Sequence, residues 1–202
     1  MIETTMTQNA SADSAIARRA MIDSQLRTSG VNEEYVLARM IDVPREDFLP
    51  ADKQPLAYID RSIALAEGAL ASPLFYGKAV LEAAPVKEDR VLIVENGTTY
   101  LSALIAPLVE RVEVASAADA AEGVVSGDYS LIVIDGAIER LPDILANALA
   151  EDGRIVTGML ERGVTRLATG RKVAGTLVLQ PVEDLGIPVL PAFNAPKQWT
   201  FS

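Results

Sequence analysis

The runs Val91-Leu-Ile-Val94 and Leu131-Ile-Val-Ile134 decide the fold, because each is short and apolar at every position. A strand that alternates apolar with polar residues has one wet face. A strand with no alternation is covered on both faces, as in a parallel sheet with helices above and below it. From Lys87 onward, further β-rich runs alternate with Ala- and Leu-rich helical stretches: Val112-Glu-Val-Ala115, Arg154-Ile-Val-Thr157, Thr176-Leu-Val-Leu179 and Gln198-Trp-Thr-Phe201. This alternation predicts an α/β fold with an open, doubly wound, mostly parallel sheet. Between the last two runs lies no helical stretch, only the Gly- and Pro-containing Glu183 to Lys197, so they are expected as an antiparallel pair at one side of the sheet.

Upstream of the sheet the texture is helical. Ile16, Ala20, Ile22 and Leu26 recur at helical spacing between charged residues, which predicts an amphipathic helix over about Ser14 to Thr28, stopped by Gly30. A second helix is expected from about Asn32, with Val36, Leu37 and Met40 on its apolar face and Pro44 ending it. Residues 1–14 are polar, with neither a basic cluster nor an apolar core, and read as a flexible tail rather than a signal peptide. The expected organisation is one domain over 15–202, made of a helical lead-in (15–86) and the sheet (87–202).

Composition narrows the function classes. Eighteen Lys and Arg against 28 Asp and Glu leave a formal net charge of −10, a field that repels phosphate backbones and anionic lipid, so neither nucleic acid nor membrane is expected as a partner. The chain has neither Cys nor His, which removes disulfides, thiolate nucleophiles, imidazole catalysis and zinc sites; no metal is expected. No apolar run is long enough to span a bilayer, and the lack of cysteine suits a cytoplasmic setting.

The stretch Met21-Ile-Asp-Ser-Gln-Leu-Arg27, followed by Gly30-Val31, Val36-Leu37, Val43-Pro-Arg-Glu-Asp-Phe-Leu-Pro50 and Ala57-Tyr58, resembles the N-terminal region of protein-L-isoaspartate O-methyltransferases. The resemblance continues at Ser72-Pro73, Arg90-Val-Leu92, Asp135-Gly-Ala-Ile-Glu-Arg-Leu-Pro142 and Gly153-Arg154, and so spans most of the chain. It implies a class I, Rossmann-like methyltransferase sheet and transfer of a methyl group from S-adenosylmethionine (SAM) to the free carboxylate of an isoaspartyl residue in a damaged protein. Such a carboxylate is already an adequate nucleophile, so the enzyme mainly aligns it with the methyl group and excludes water.

Three departures fall on the expected cofactor site. The family's first strand leads into a turn of the type Gly-x-Gly-x-Gly-Tyr, whereas aligned on Tyr100 this chain reads Ile93-Val-Glu95-Asn96-Gly97-Thr98-Thr99-Tyr100, with only the middle glycine kept. A glutamate at the first glycine position, facing the carboxylate of the ligand at near 4 Å, would cost about 4 kcal/mol as an upper figure. The acid expected to hold the ribose hydroxyls at the end of the second strand is replaced by Ser116. Between Ser116 and Tyr129 only Ala117 to Asp128 remain, room for one crossover but not for a helix, an extra strand and the turn beside adenine. The outer strand is therefore expected to be missing, and with it the adenine wall. The loss would expose a new sheet edge, which a second copy of the chain could cover as a homodimer.

Two readings stay open. In one, the chain is an active SAM-dependent carboxyl methyltransferase, with Ser72 orienting substrate and with Glu95, Asn96, Gly97, Thr98, Ser116, Asp135 and Gly136 around the cofactor. In the other, favoured here, it is an impaired or non-catalytic binding or assembly module with no cofactor. A crevice remodelled for a cation or amine near Glu95 is a third. Each residue also has a plain structural reading: Ser72-Pro73 as a helix cap, Gly97 as a turn residue, Asp135-Gly136 as a turn pair, and Phe75, Tyr76, Tyr100 and Trp199 as core.

Overall fold

The computed structural model describes residues 2–195, with side chains from residue 12 onward. Helix α1 (Ile2–Met21) starts well before the expected Ser14, so the stretch read as a tail is helical in its backbone. It continues as one π-type turn (Ile22–Leu26) and one 3-10 turn (Arg27–Ser29), and ends at Gly30, whose φ of 85° reverses the chain as expected. Helix α2 (Glu34–Asp42) buries Val36, Leu37 and Met40, also as expected. A two-stranded hairpin, β1 (Ile63–Ala64) and β2 (Ala69–Leu70), then leads into α3 (Pro73–Ala83).

The main sheet has six strands: β3 (Arg90–Glu95), β4 (Arg111–Ser116), β5 (Tyr129–Ile138), β6 (Leu149–Glu161), β7 (Val164–Val173) and β8 (Thr176–Asp184), in the order β4-β3-β5-β6-β7-β8. The pairs among β4, β3, β5 and β6 are parallel, and the last two pairs are antiparallel. Both faces of the centre are covered. Val91, Ile93, Leu131 and Val133 join the core shared with α2, α3 and α4 (Tyr100–Ile105). Leu92, Val94, Ile132 and Ile134 join the opposite core under α5 (Ala117–Glu122) and α6 (Asp143–Ala148). That division is the physical content of the apolar runs.

Two expectations are corrected or refined here. The antiparallel part is real, but Thr176–Leu179 pairs with β7, a strand the sequence reading lacked; Gln198–Phe201 lies outside the described residues. β7 was hidden because Val164-Thr-Arg-Leu-Ala-Thr-Gly-Arg-Lys-Val173 mixes polar and apolar residues. Its hairpin turns are also unusual, since Arg162-Gly163 and Ala174-Gly175 have positive φ at both residues without the usual Asn or Asp. At the other margin, the short segment after Ser116 holds only α5 and a loop before β5 crosses back beside β3. Among the described residues no strand lies outside β4, as the chain length predicted.

Candidate functional site

Strand order reverses between β3 and β5, and open α/β sheets bind ligands at the carboxyl ends of the strands flanking such a point. Here β3 ends at Glu95 and runs into Asn96 and Gly97, while Asp135 and Gly136 stand in the last part of β5. The β1–β2 hairpin packs onto this point. The Ala69 N–H donates to the Asn96 carbonyl at 3.0 Å. A Cβ built on Gly97, whose φ is 74°, would overlap the Glu67 carbonyl oxygen, and one on Gly68 would overlap the Asn96 carbonyl. On its Cβ side Gly97 therefore admits the chain's own backbone at Glu67, while the residue itself stays exposed.

Asp135 is fully buried, with no exposed surface. Its Oδ2 accepts from the Tyr76 hydroxyl at 3.0 Å, and that hydroxyl in turn accepts from the Ala71 N–H at 3.2 Å. Its Oδ1 has no partner. Burial pushes the Asp135 carboxyl up to about 8; the Tyr76 bond opposes this, the Glu95 charge adds to it and Arg45 opposes it. The Tyr76 hydroxyl is likewise pushed well above its ordinary value by burial, with the Asp135 charge adding. Arg45, fully buried, donates to the Ala57 and Ala71 carbonyls at 2.7 and 2.8 Å and stacks over Tyr76 and Tyr100 at 5.4 and 5.1 Å. One guanidinium thus ties the 3-10 turn Arg45–Phe48 to the chain on both sides of the β1–β2 hairpin.

An open cleft of about 490 Å³ remains on the other side of β3, lined by Glu95, Gly97, Thr98, Thr99 and Ser116, with Asp47, Phe48 and Leu49 as its far wall. Four of the expected cofactor residues therefore meet, whereas Asn96, Asp135, Gly136 and Ser72 are not in the lining. A Cβ on Gly136 would overlap the Leu190 side chain, which marks that glycine as a close-packing position. Glu95 is half-buried and accepts from the Ser102 hydroxyl at 2.5 Å; burial raises its carboxyl above the ordinary value, and the Ser102 bond opposes the rise. Ser116 accepts from the Asp119 N–H at 3.0 Å and caps α5, so its hydroxyl serves the chain. Thr98 similarly accepts from the Tyr100 N–H at 3.3 Å.

Ser72 accepts from the Phe75 N–H at 3.2 Å, with Pro73 at the first helical position of α3. This is the cap reading of the Ser-Pro pair, with the side chain almost wholly buried. Ser72→Ala is expected to lower stability by about 1 kcal/mol, read as a shift of the urea midpoint at unchanged slope. An unchanged midpoint would show that the cap contributes nothing. Phe75, Tyr76 and Tyr100 are core, as their plain reading held; Trp199 lies outside the described residues.

Sequence reading missed Glu67-Gly68, Arg45 and the wall at Asp47–Leu49. Gly68 in Ala66-Glu67-Gly68-Ala69 was a turn signal that could have been read, but nothing local said what the turn would touch.

Comparison with known proteins agrees with this architecture. Residues 17–126 match the family described as Protein-L-isoaspartate(D-aspartate) O-methyltransferase (PCMT). A protein-L-isoaspartate O-methyltransferase of Koribacter versatilis is 32% identical over 84% of this chain and 88% of its own length. One from Roseiflexus sp. is 29% identical over 86% and 91%. A Plasmodium falciparum crystal structure, named for the same activity and solved in complex with S-adenosyl-L-homocysteine, superposes with a TM-score of 0.71 at 16% identity, covering 87% of this chain and 98% of that one. At that identity the likeness speaks for the fold, while the sequence matches carry the family: the chain belongs to the protein-L-isoaspartate O-methyltransferases.

Proposed function

We propose that this chain is a family member whose cofactor site is degenerate, retained as a methyltransferase-like binding or assembly module with methyl transfer abolished or severely impaired. The observation that carries the reading is the Glu95 carboxylate in the lining of the open cleft. SAM would bring its own carboxylate to that turn, and the residues present do not fit it. Supporting it are the Ser72 and Ser116 side chains engaged as helix caps, and β4 lying at the sheet margin, where no further strand among the described residues backs a purine. The open cleft beside Glu95 keeps a carboxylate where the ligand's own carboxylate would approach. A cytoplasmic location belongs to the same proposal, on the cysteine-free sequence.

The test is titration with SAM and S-adenosylhomocysteine, followed by calorimetry and thermal melting. A ligand at a hundred times its dissociation constant adds about 2.7 kcal/mol to stability. The expected result is no saturable heat and no rise in melting temperature up to millimolar ligand. Micromolar binding would overturn the proposal and restore the other reading, an active SAM-dependent carboxyl methyltransferase acting on isoaspartyl proteins, the activity for which the relatives are named.

A further inference from the structure

The two margins of the six-stranded sheet are built differently. β8 carries Pro181 in its interior, its register with β7 slips between Leu167 and Ala168, and it ends on Glu183 and Asp184. A proline that cannot donate, a bulge and clustered charge are the devices by which edge strands refuse a partner. β4 has neither the proline nor the bulge, and its charges, Arg111 and Glu113, are of opposite sign. Its register with β3 is unbroken from Arg90↔Arg111 to Glu95↔Ser116, and it contains neither Pro nor Lys. Val114 on this strand is 52% exposed, and Val124, in the loop after α5, is 68% exposed. The strand's outer row of N–H and C=O groups faces no other strand among the described residues.

We propose that β4 is a homodimer interface, pairing antiparallel with β4 of a second copy about a two-fold axis normal to the sheet, so that the sheets of both copies run together. Charge selects the register. The axis keeps each residue on its own face, so facing residues must be of the same parity, and only a few alignments exist. Centring the axis on Glu113 sets Glu113 against Glu113 of the other copy, a direct like-charge repulsion. Centring it on Val112 sets Arg111 against the other copy's Glu113 twice, and places Val112 across from Val112 with exposed Val114 diagonal to it. Arg111 and Glu113 already meet within one chain at 2.6 Å, with side chains 67% and 40% exposed, so both lie at the edge and can share a four-charge cluster across it. The Tyr129 hydroxyl donates to Glu113 at 2.5 Å and holds that carboxylate in place. Loss of an outer strand leaves an edge that must be covered, and a second copy covers it with matching charge. This inference supplies the partner for the assembly reading and rests on it, but the two fail separately, because SAM binding is read by heat and dimerisation by mass.

The experiment uses the full chain and two single variants, Arg111→Glu and Glu113→Arg, in sedimentation and light scattering at micromolar to submillimolar protein. The parent is expected at twice the chain mass. Arg111→Glu makes positions 111 and 113 both acidic and Glu113→Arg makes both basic, so each variant alone is expected to dimerise at least tenfold more weakly. Mixed in equal amounts they are expected to form a heterodimer, since each acidic pair then faces a basic one. Amide hydrogen exchange in Val112 to Ala115 should slow on dimerisation, and circular dichroism checks that each variant is folded. A parent that is monomeric throughout the range would overturn the proposal. So would folded variants that dimerise as well as the parent, or that stay monomeric when mixed.

Discussion

Replacing Asp135 by asparagine is expected to abolish most of a fall in stability that the parent shows between about pH 4 and pH 8. In the folded chain this carboxyl holds its proton to about 8, because burial penalises the charge and Glu95 adds to the penalty against Tyr76 and Arg45. In the unfolded chain it ionises near its ordinary value of 3.8. Across that window the folded state binds more protons than the unfolded one, so stability is fully present below the lower value, falls as pH rises and levels off above the higher one. The full drop is at most about 6 kcal/mol. Glu95, also raised by burial, acts in the same sense above its own ordinary value. Glu46 and Asp89 act oppositely: burial works against their ionisation, but bonds from Tyr58 and Arg18 to Glu46, and from Arg154 and Ser130 to Asp89, lower both carboxyls. What they contribute is lost as pH falls through their lowered values, the opposite direction to the Asp135 loss. Urea unfolding across pH 4 to 9 reads the result. In Asp135→Asn the side-chain carbonyl can still accept from Tyr76, but the new amide N–H group needs a partner of its own, at a cost of about 1–3 kcal/mol. The variant should therefore be the less stable protein at pH 4 and the more stable one at pH 8. Parallel pH curves for the two proteins would mean that Asp135 is not a neutral buried acid.

The second large effect is Gly97→Ala, expected to cost about 3 kcal/mol or more. Two penalties coincide there. A left-handed φ of 74° strains any residue with a Cβ, and that Cβ would overlap the Glu67 carbonyl, a backbone atom that cannot swing away. Gly175 supplies the control. It has the same φ of 74°, but nothing lies within 4 Å of its Cβ position, so Gly175→Ala should cost only about 1 kcal/mol. The difference between the two urea midpoints measures how tightly the hairpin packs against the turn. Equal losses would mean that Gly97 is a turn residue with open space at its Cβ position and that the hairpin does not pack against it.

The cap at Ser72 and the packing at Gly97 were legible to different depths. Ser-Pro at a helix start is a local signal, and the bond from Phe75 to Ser72 follows from backbone geometry within one turn. The glycine was visible as well, but its purpose lay with Glu67, a residue far away in sequence whose approach depends on how the hairpin docks. Asp135 illustrates the same limit. Its place in β5 was readable from the apolar run before it, whereas its raised pKa depends on burial by distant segments and on the Glu95 charge.

What the amino-acid order determined alone were properties set within one element or by chain length. These include strands apolar on both faces, helix ends at Gly30 and Pro44, the family signature, and a segment from Ala117 to Asp128 too short to carry an outer strand. What only the tertiary structure decided were properties set by contacts between distant segments: the strand β7, whose mixed pattern takes meaning from its two neighbours, the hairpin packed against one side of Gly97, and the contrast between a β8 broken by Pro181 and a bulge and an unbroken β4. The division has one physical cause. Propensity and periodicity act over a few bonds, but whether a backbone turn meets a ligand or its own chain is settled by packing, which joins residues that the linear order keeps apart.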